Sequence, residues 1–220
     1  MPNDELIDVF DELGQPQGVL PRDQAHLEGR WHQVFHVLIV AMRNTTPVVI
    51  LQERAHTKLT FPGLLDLSAT GHLLTGETAV EGVREVAEEI GVELNPIGLV
   101  PLGVRRVVDE TPEGVNREFV NVFLYRDERP LAAYRPRSIE VAAVVEIPIS
   151  AALALLSGEA TDFNATYFNH QGRLSTHRIT RNNFVPEGPT VKSDASEWGY
   201  WRTVLIMAER YLMGERNLSI

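Results

Sequence analysis

From Val34 to Met42 the chain is apolar at every position but one, and only His36 interrupts it. A run of nearly continuous apolar residues bounded by turn signals is expected of a strand covered on both faces, so Val34 to Ala41 reads as such a strand. Nine residues are far too few to span a bilayer. A polar turn at Asn44-Thr45-Thr46 leads into a second strand, Pro47 to Gln52. Upstream, Leu6 to Phe10 and Gln17 to Leu20 flank a turn at residues 11–16 and read as a hairpin. Downstream, Phe61-Pro62-Gly63 punctuates the chain, and Leu65 to Ala69 leads into Gly71. Further strands are expected at Leu102 to Val108, Glu118 to Tyr125 and Val141 to Glu146. Helices are expected at Thr78 to Ile90 and Ser150 to Leu156. Trp201, Leu205, Ala208 and Leu212 recur at helical spacing near the end, with Ser196 or Asp194 as the cap. Residues 161–189 read as irregular and polar. Strands mixed with a few helices indicate an α/β or α+β domain over residues 1–160 that includes the hairpin. Residues 161–220 then form an extension packed on the same domain.

A formal net charge of -10 argues against nonspecific nucleic-acid binding, which needs clustered cations. It leaves a small phosphorylated substrate open, because a metal ion inverts the local field. Only Lys58 and Lys192 are lysines, so most phosphate contacts would fall to arginine. The chain has no cysteine, which removes disulfides, thiolate metal sites and cysteine nucleophiles. The first residues, MPNDELIDVF, show no basic segment followed by an apolar one, so a cytoplasmic protein without a membrane span is expected. Neither a Gly-x-Ser-x-Gly elbow nor a Walker-type phosphate loop occurs.

The segment ending at Ile90 carries the densest chemistry. On a helix, Ala79, Val83, Val86, Ala87 and Ile90 make one apolar stripe. Glu81, Glu85, Glu88 and Glu89 fall within roughly 100° on the other side. Thr78 and Glu81 have capping-box spacing, and Gly91 stands where a C-terminal cap glycine belongs. Two like-charge pairs at i,i+4 each cost about 0.2–0.5 kcal/mol in an isolated helix. A divalent cation turns that repulsion into coordination. A solvated acidic face is the plainer alternative.

The string Gly71-x5-Glu77, then Arg84-Glu85-Val86-x-Glu88-Glu89-x-Gly91-Val92, resembles the signature of Nudix hydrolases. One departure is that six residues separate Glu77 from Arg84 where the usual signature has seven. The resemblance implies a Nudix-type α/β/α sandwich with a mixed sheet, here with an N-terminal hairpin and a C-terminal helical extension. It implies a Mg²⁺- or Mn²⁺-dependent enzyme in which metal-activated water attacks a diphosphate linkage of a nucleoside-diphosphate-linked or related small molecule. Glu85, Glu88 and Glu89 would be the metal ligands, with Glu89 as ligand or base. Arg84 would orient the carboxylates, Glu81 would stand outside them, and Glu118 or Glu140 are alternative bases.

A second stretch, Trp31-His32-x3-His36, Gln52-Glu53-Arg54-x3-Lys58-x2-Phe61-Pro62-Gly63 and Thr70-Gly71-His72, looks like the branch containing isopentenyl-diphosphate isomerase. By that resemblance Arg54 and Lys58 would contact the diphosphate, as a guanidinium fork suits phosphate oxygens, and His32 and His72 would hold metal. The isomerase needs a cysteine where this chain has Thr70, and Asn116 replaces one of two glutamates of which Glu118 is the other. An isomerase-like activity is therefore the runner-up, followed by a noncatalytic nucleotide-binding domain. His32 and His36 share one strand face, where hydrogen-bonded core histidines are the plain alternative. Tyr167, Phe168, Trp198, Tyr200 and Trp201 could stack on a ring or simply fill the core. The last helix would cover apolar surface on the sandwich or on a second subunit, which leaves a homodimer open.

Overall fold

The computed structural model describes residues 5–111, 114–137, 139–186 and 198–220. Its centre is β3 (Trp31–Arg43), whose Leu38 and Val40 enter one apolar core while Val37 and Ile39 enter the other. All four are fully buried, so the uninterrupted apolar run is satisfied on both faces. Along one edge β3 pairs in parallel with β8 (Gly114–Arg126) over residues 31–40. Its other pairings are antiparallel: β1 (Leu6–Phe10) at the start, β6 (Ala69–His72) in the middle, and β4 (Thr46–Arg54) at the end. The short β5 (Leu65–Asp66) lies on β4. Where β6 gives way to β4, Ser68 Oγ accepts from the Ile39 N–H at 2.6 Å and donates to the Ile50 carbonyl. That buried hydroxyl fills the gap in the backbone ladder.

Beyond these, β2 (Pro16–Pro21) pairs with β1, and β7 (Val100–Thr111) with β8. β9 (Val141–Pro148) follows β4, and β10 (Phe163–Asn169) and β11 (Leu174–Ile179) extend the sheet as a hairpin. Among the described residues eleven strands form one mixed network. One face carries α2 (Arg84–Ile90), and the other carries α3 (Ile149–Ser157) and α4 (Gly199–Leu212). This is the α/β/α arrangement.

Three expectations change, and one helix appears that the sequence pattern did not mark. The segment 161–189 is not irregular, since β10 and β11 lie within it. Their polar residues mark an edge hairpin with one wet face, which hides the alternation. A six-residue helix, α1 (Arg22–Leu27), is too short for a periodic signal, yet it buries Ala25 and His26. The helix expected from Thr78 starts only at Arg84, preceded by a 3-10 turn over Glu81–Val83. Gly82 permits this tight entry, because a Cβ there would overlap Phe35 and Leu73. Thr78 and Glu81 do bond, but both the N–H and the hydroxyl of Thr78 donate to the Glu81 carboxylate, so the reciprocal box does not form. Gly91 ends α2 in the left-handed region, at φ 69°. The expected caps Asp194 and Ser196 lie outside the described residues.

The terminal helix packs within the chain. Trp201, Val204, Leu205, Ala208 and Leu212 are buried in the same core as Leu38, Leu51 and Leu124.

Candidate active site

The fold gathers the candidate residues around one open cleft of about 390 Å³. Side chains alternate along a strand, so His32, Val34 and His36 of β3 share a face with Asn116, Glu118 and Val120 of β8. Arg105, Val107 and Asp109 of β7 continue that face, and all but His32 line the cleft. The parallel register puts His32 beside Glu118, and β6 puts His72 beside Val34. α2 contributes Glu85, Glu88 and Glu89, and the end of β4 contributes Arg54, with Lys58 and Glu140 nearby. The three helix carboxylates, Arg54, Lys58, Glu118 and Glu140 therefore share one space, and Arg84 does not enter it.

Arg84 sits behind the carboxylates. Its Nε donates to Glu77 Oε1 at 2.6 Å, one terminal nitrogen to Glu85 at 2.7 Å and Glu88 at 3.1 Å, and the other to the His72 carbonyl at 2.9 Å. Glu77, whose spacing departs from the usual signature, is thus an anchor for this guanidinium and also accepts from the Leu74 N–H at 2.7 Å. Glu81 is exposed and bonded to Thr78, away from the cleft.

The three helix carboxylates differ in setting. Glu88 is exposed, Glu85 is half-buried, and Glu89 is 7% exposed. The expectation that all four glutamates oppose the apolar stripe is corrected at Glu89, which lies at the boundary beside Val86 and turns toward the sheet. There its Oε2 accepts from Gln52 Nε2 at 3.1 Å and from the Thr70 N–H at 3.0 Å. Burial pushes Glu89 up to about 8 and Glu85 to about 7. Gly71 makes room for Glu85, since a Cβ at that position would overlap its carboxylate.

Arg54 is pinned by the Thr60 carbonyl at 3.1 Å, the Thr60 hydroxyl at 3.2 Å and Asp66 at 2.9 Å. Lys58 is paired with Glu140. Phe61, at the adjoining turn, adopts φ 51° and lines the cleft, a strained conformation for a non-glycine residue.

Sequence reasoning missed His26. It arrives from α1, its Nε2 lies 3.0 Å from His72 Nε2 and 3.3 Å from His32 Nε2, and no periodic pattern marks it. The three imidazoles present ligand atoms within 4.8 Å of one another. Glu118 Oε1 stands 3.9 Å from His32 Nε2.

A family model described as NUDIX domain matches residues 30–167. The chain belongs to the Nudix family. Among relatives, an uncharacterized Nudix hydrolase of Clostridium acetobutylicum is 29% identical over 206 residues, covering 92% of this chain and 96% of that protein. An isopentenyl-diphosphate Delta-isomerase of Corynebacterium diphtheriae is 36% identical over 90 residues, but these make up 40% of this chain and 48% of the isomerase. A crystal structure from Deinococcus radiodurans shares the fold, with a TM-score of 0.54, 22% identity, and coverage of 70% of this chain and 90% of that one. The family and the Clostridium relative support hydrolase activity in general, and the use of divalent metal ions is typical of the family. Seven residues that wall the cleft fall outside the matched Nudix span: Glu5, Arg22 and His26 before it, and Val185, Pro186, Tyr200 and Trp201 after it.

Among the described residues only His26, His32 and His72 bring three ligand atoms within 4.8 Å of one another, while Glu85, Glu88 and Glu89 line the same cleft without converging so closely. Glu85, Glu88 and Glu89 offer hard oxygens, suited to Mg²⁺ or Mn²⁺. The histidines offer nitrogen donors, suited to a transition metal. Burial lowers His26 and His32 to about 4 and holds His72 well below its ordinary value, so their lone pairs are available at neutral pH. His32 Nδ1 lies 2.9 Å from the Arg30 carbonyl, which fixes its proton there and frees Nε2. Burial also raises Glu118, to about 7. No helix among the described residues is long and apolar enough to cross a membrane.

Proposed function

We propose that this Nudix protein is a Mg²⁺- or Mn²⁺-dependent hydrolase that cleaves the diphosphate linkage of a nucleoside-diphosphate-linked or related small molecule. The observation that carries the reading is the meeting of Glu85, Glu88 and Glu89 with Arg54 and Lys58 in one cleft. When bound, a divalent cation supplies Lewis-acid polarisation of phosphoryl oxygens and lowers the pKa of water. The protein side divides as follows. Glu85, Glu88 and Glu89 hold the cation, and Arg84 fixes Glu85 and Glu88 through a single nitrogen. Arg54 and Lys58 grip diphosphate oxygens, and Lys58 exchanges Glu140 for phosphate as it does so. Glu89, which the Gln52 amide and the Thr70 N–H hold in place, serves as ligand or as proton acceptor once the cation has displaced its own proton. Glu118 is the second choice, and Glu140, released when Lys58 turns to phosphate, is the third. His26, His32 and His72, with Glu118, hold a second ion.

Hydrolysis is favoured over isomerisation on one ground. Thr70 stands in the cleft beside Glu89, and a threonine hydroxyl is a poor acid or base toward carbon. The test is product release from a panel of nucleotide sugars, dinucleotides, coenzyme-type diphosphates and isopentenyl diphosphate. It compares the intact protein with Glu89→Gln, with and without Mg²⁺ or Mn²⁺. Cation-dependent cleavage that collapses in the variant supports the reading. Binding without cleavage makes this a nucleotide-binding domain, and formation of the isomer overturns the reading outright.

A further inference from the structure

The inner wall of the cleft carries chemistry that diphosphate hydrolysis does not use. Arg105 on β7 lays its guanidinium over the Tyr200 ring of α4, 4.2 Å from the ring centroid. The Tyr200 hydroxyl meets Nδ1 of His36 on β3 at 3.1 Å. Three elements thus converge on one connected polar array that faces the cleft. The strand register fixes its position. Arg105, Val120 and Val34 stand in one row across β7, β8 and β3, and Val107, Glu118 and His32 stand in the next. Two residues along a strand span roughly 7 Å, about one sugar or phosphoryl unit.

The array rests on α4, which lies beyond the matched family span. Trp201 Nε1 donates to the Val185 carbonyl at 2.9 Å, its ring packs edge-on against Phe184, and the Val185 N–H donates to the Leu65 carbonyl at 2.9 Å. The wall is therefore tied to the same β5 segment that presents Asp66 to Arg54. It is a built surface.

We infer that Arg105, Tyr200 and His36 form a specificity subsite for the part of the substrate beyond the diphosphate. It takes an oxygen-rich group, either a sugar or a further phosphoryl group, and turns away a hydrocarbon chain. This rests on reading the cleft as a diphosphate site. A hydrocarbon laid here would desolvate the charged Arg105 guanidinium and the Tyr200–His36 hydrogen bond while returning no polar contact, which is unfavourable. Hydroxyl or phosphoryl oxygens replace that water with charge-assisted hydrogen bonds. Sites built around polar groups reject analogues that leave those groups unmet.

The experiment is calorimetric binding of ADP-ribose, ATP, isopentenyl diphosphate and inorganic pyrophosphate, with Ca²⁺ replacing the working cation. It uses the intact protein and the variants Arg105→Met, Arg105→Lys and Tyr200→Phe. Arg105→Met is expected to weaken ADP-ribose or ATP by about tenfold or more, the ligand affected naming the sugar or the phosphoryl group. It leaves pyrophosphate within about twofold and does not weaken isopentenyl diphosphate. Arg105→Lys recovers part of the loss, and its recovery excludes a folding defect. Tyr200→Phe loses less than Arg105→Met. Equal losses for pyrophosphate and ADP-ribose overturn the subsite, as does an intact protein that prefers isopentenyl diphosphate. If pyrophosphate fails to bind while ADP-ribose still depends on Arg105, the diphosphate reading falls and the subsite stands. If none of the ligands binds, both fall.

Discussion

Gln52 and Glu89 meet across the helix–sheet interface, with the Gln52 side-chain amide donating to Glu89 Oε2 at 3.1 Å. A carboxyl so placed serves chemistry at the expense of folding, because its charged form is desolvated. Glu89→Gln is therefore expected to separate the two properties. Cation-dependent hydrolysis should fall by about 10²–10⁴-fold. The metal-free melting temperature should hold or rise, because a neutral amide replaces a buried acid. A large drop in melting temperature alongside the activity loss would mean that Glu89 is a structural residue.

Gly71→Ala probes the carboxylate beside it. The added methyl overlaps Glu85, whose flexible end can swing away at little expense, so stability should remain within about 1 kcal/mol of the parent. The displaced oxygen should weaken Mg²⁺ or Mn²⁺ binding by about 10–100-fold. Titration of the cation alone checks this, and unchanged affinity would remove Glu85 from the ligand set.

Arg84→Ala should destabilise, because one guanidinium serves Glu77, Glu85, Glu88 and the His72 carbonyl. The expected loss is about 1.5–3 kcal/mol in denaturant unfolding. Arg84→Lys should recover less than half, since an ammonium cannot span four acceptors in a plane.

Cation binding should release protons near neutrality. Glu85, Glu89 and Glu118 are raised by burial to between about 7 and about 8, so each holds a partial proton at pH 7 in the metal-free protein. Adding Mn²⁺ to unbuffered protein should acidify the solution, and affinity should rise with pH between about 6 and 8.5. The sign for stability follows from folded values above unfolded ones. These groups stabilise fully below about 4.5, and their contribution is lost as pH rises through 7 to 8. The neutral histidines act in the opposite sense only between about 4 and 6.5. Metal-free melting should therefore fall from pH 6.5 to 8.5, and saturating cation should reverse the slope. Calorimetry in chelator and in excess Mn²⁺ checks both arms.

The parts legible in the sequence are those fixed by local rules. The two-faced strand, the carboxylate helix with its Gly91 stop and the apolar stripe of α4 follow from periodicity and capping. Arg54, Lys58 and the three helix glutamates stand out only through short motifs that resemble those of the family, and the fold brings them to one cleft. His26 is not, because a six-residue helix carries no period and only the fold brings it to His32 and His72. The subsite is likewise hidden, since Arg105, Tyr200 and His36 belong to three distant stretches. The aromatic residues of the tail divide as burial decides. Trp198, Tyr167 and Phe168 fill the core, Tyr200 faces the cleft, and Trp201 does both.

His32 and His36 sit in a strand enclosed on both faces, in places where valine would satisfy the pleat without any demand for partners. On the reading that His32 holds an ion, a copy of this chain with the single change His32→Val should gain metal-free heat resistance while losing transition-metal affinity, so durability and chemistry would pull this strand in opposite directions. On the same reading, a thermally hardened descendant lacking these imidazoles would be recognisable as a retired enzyme.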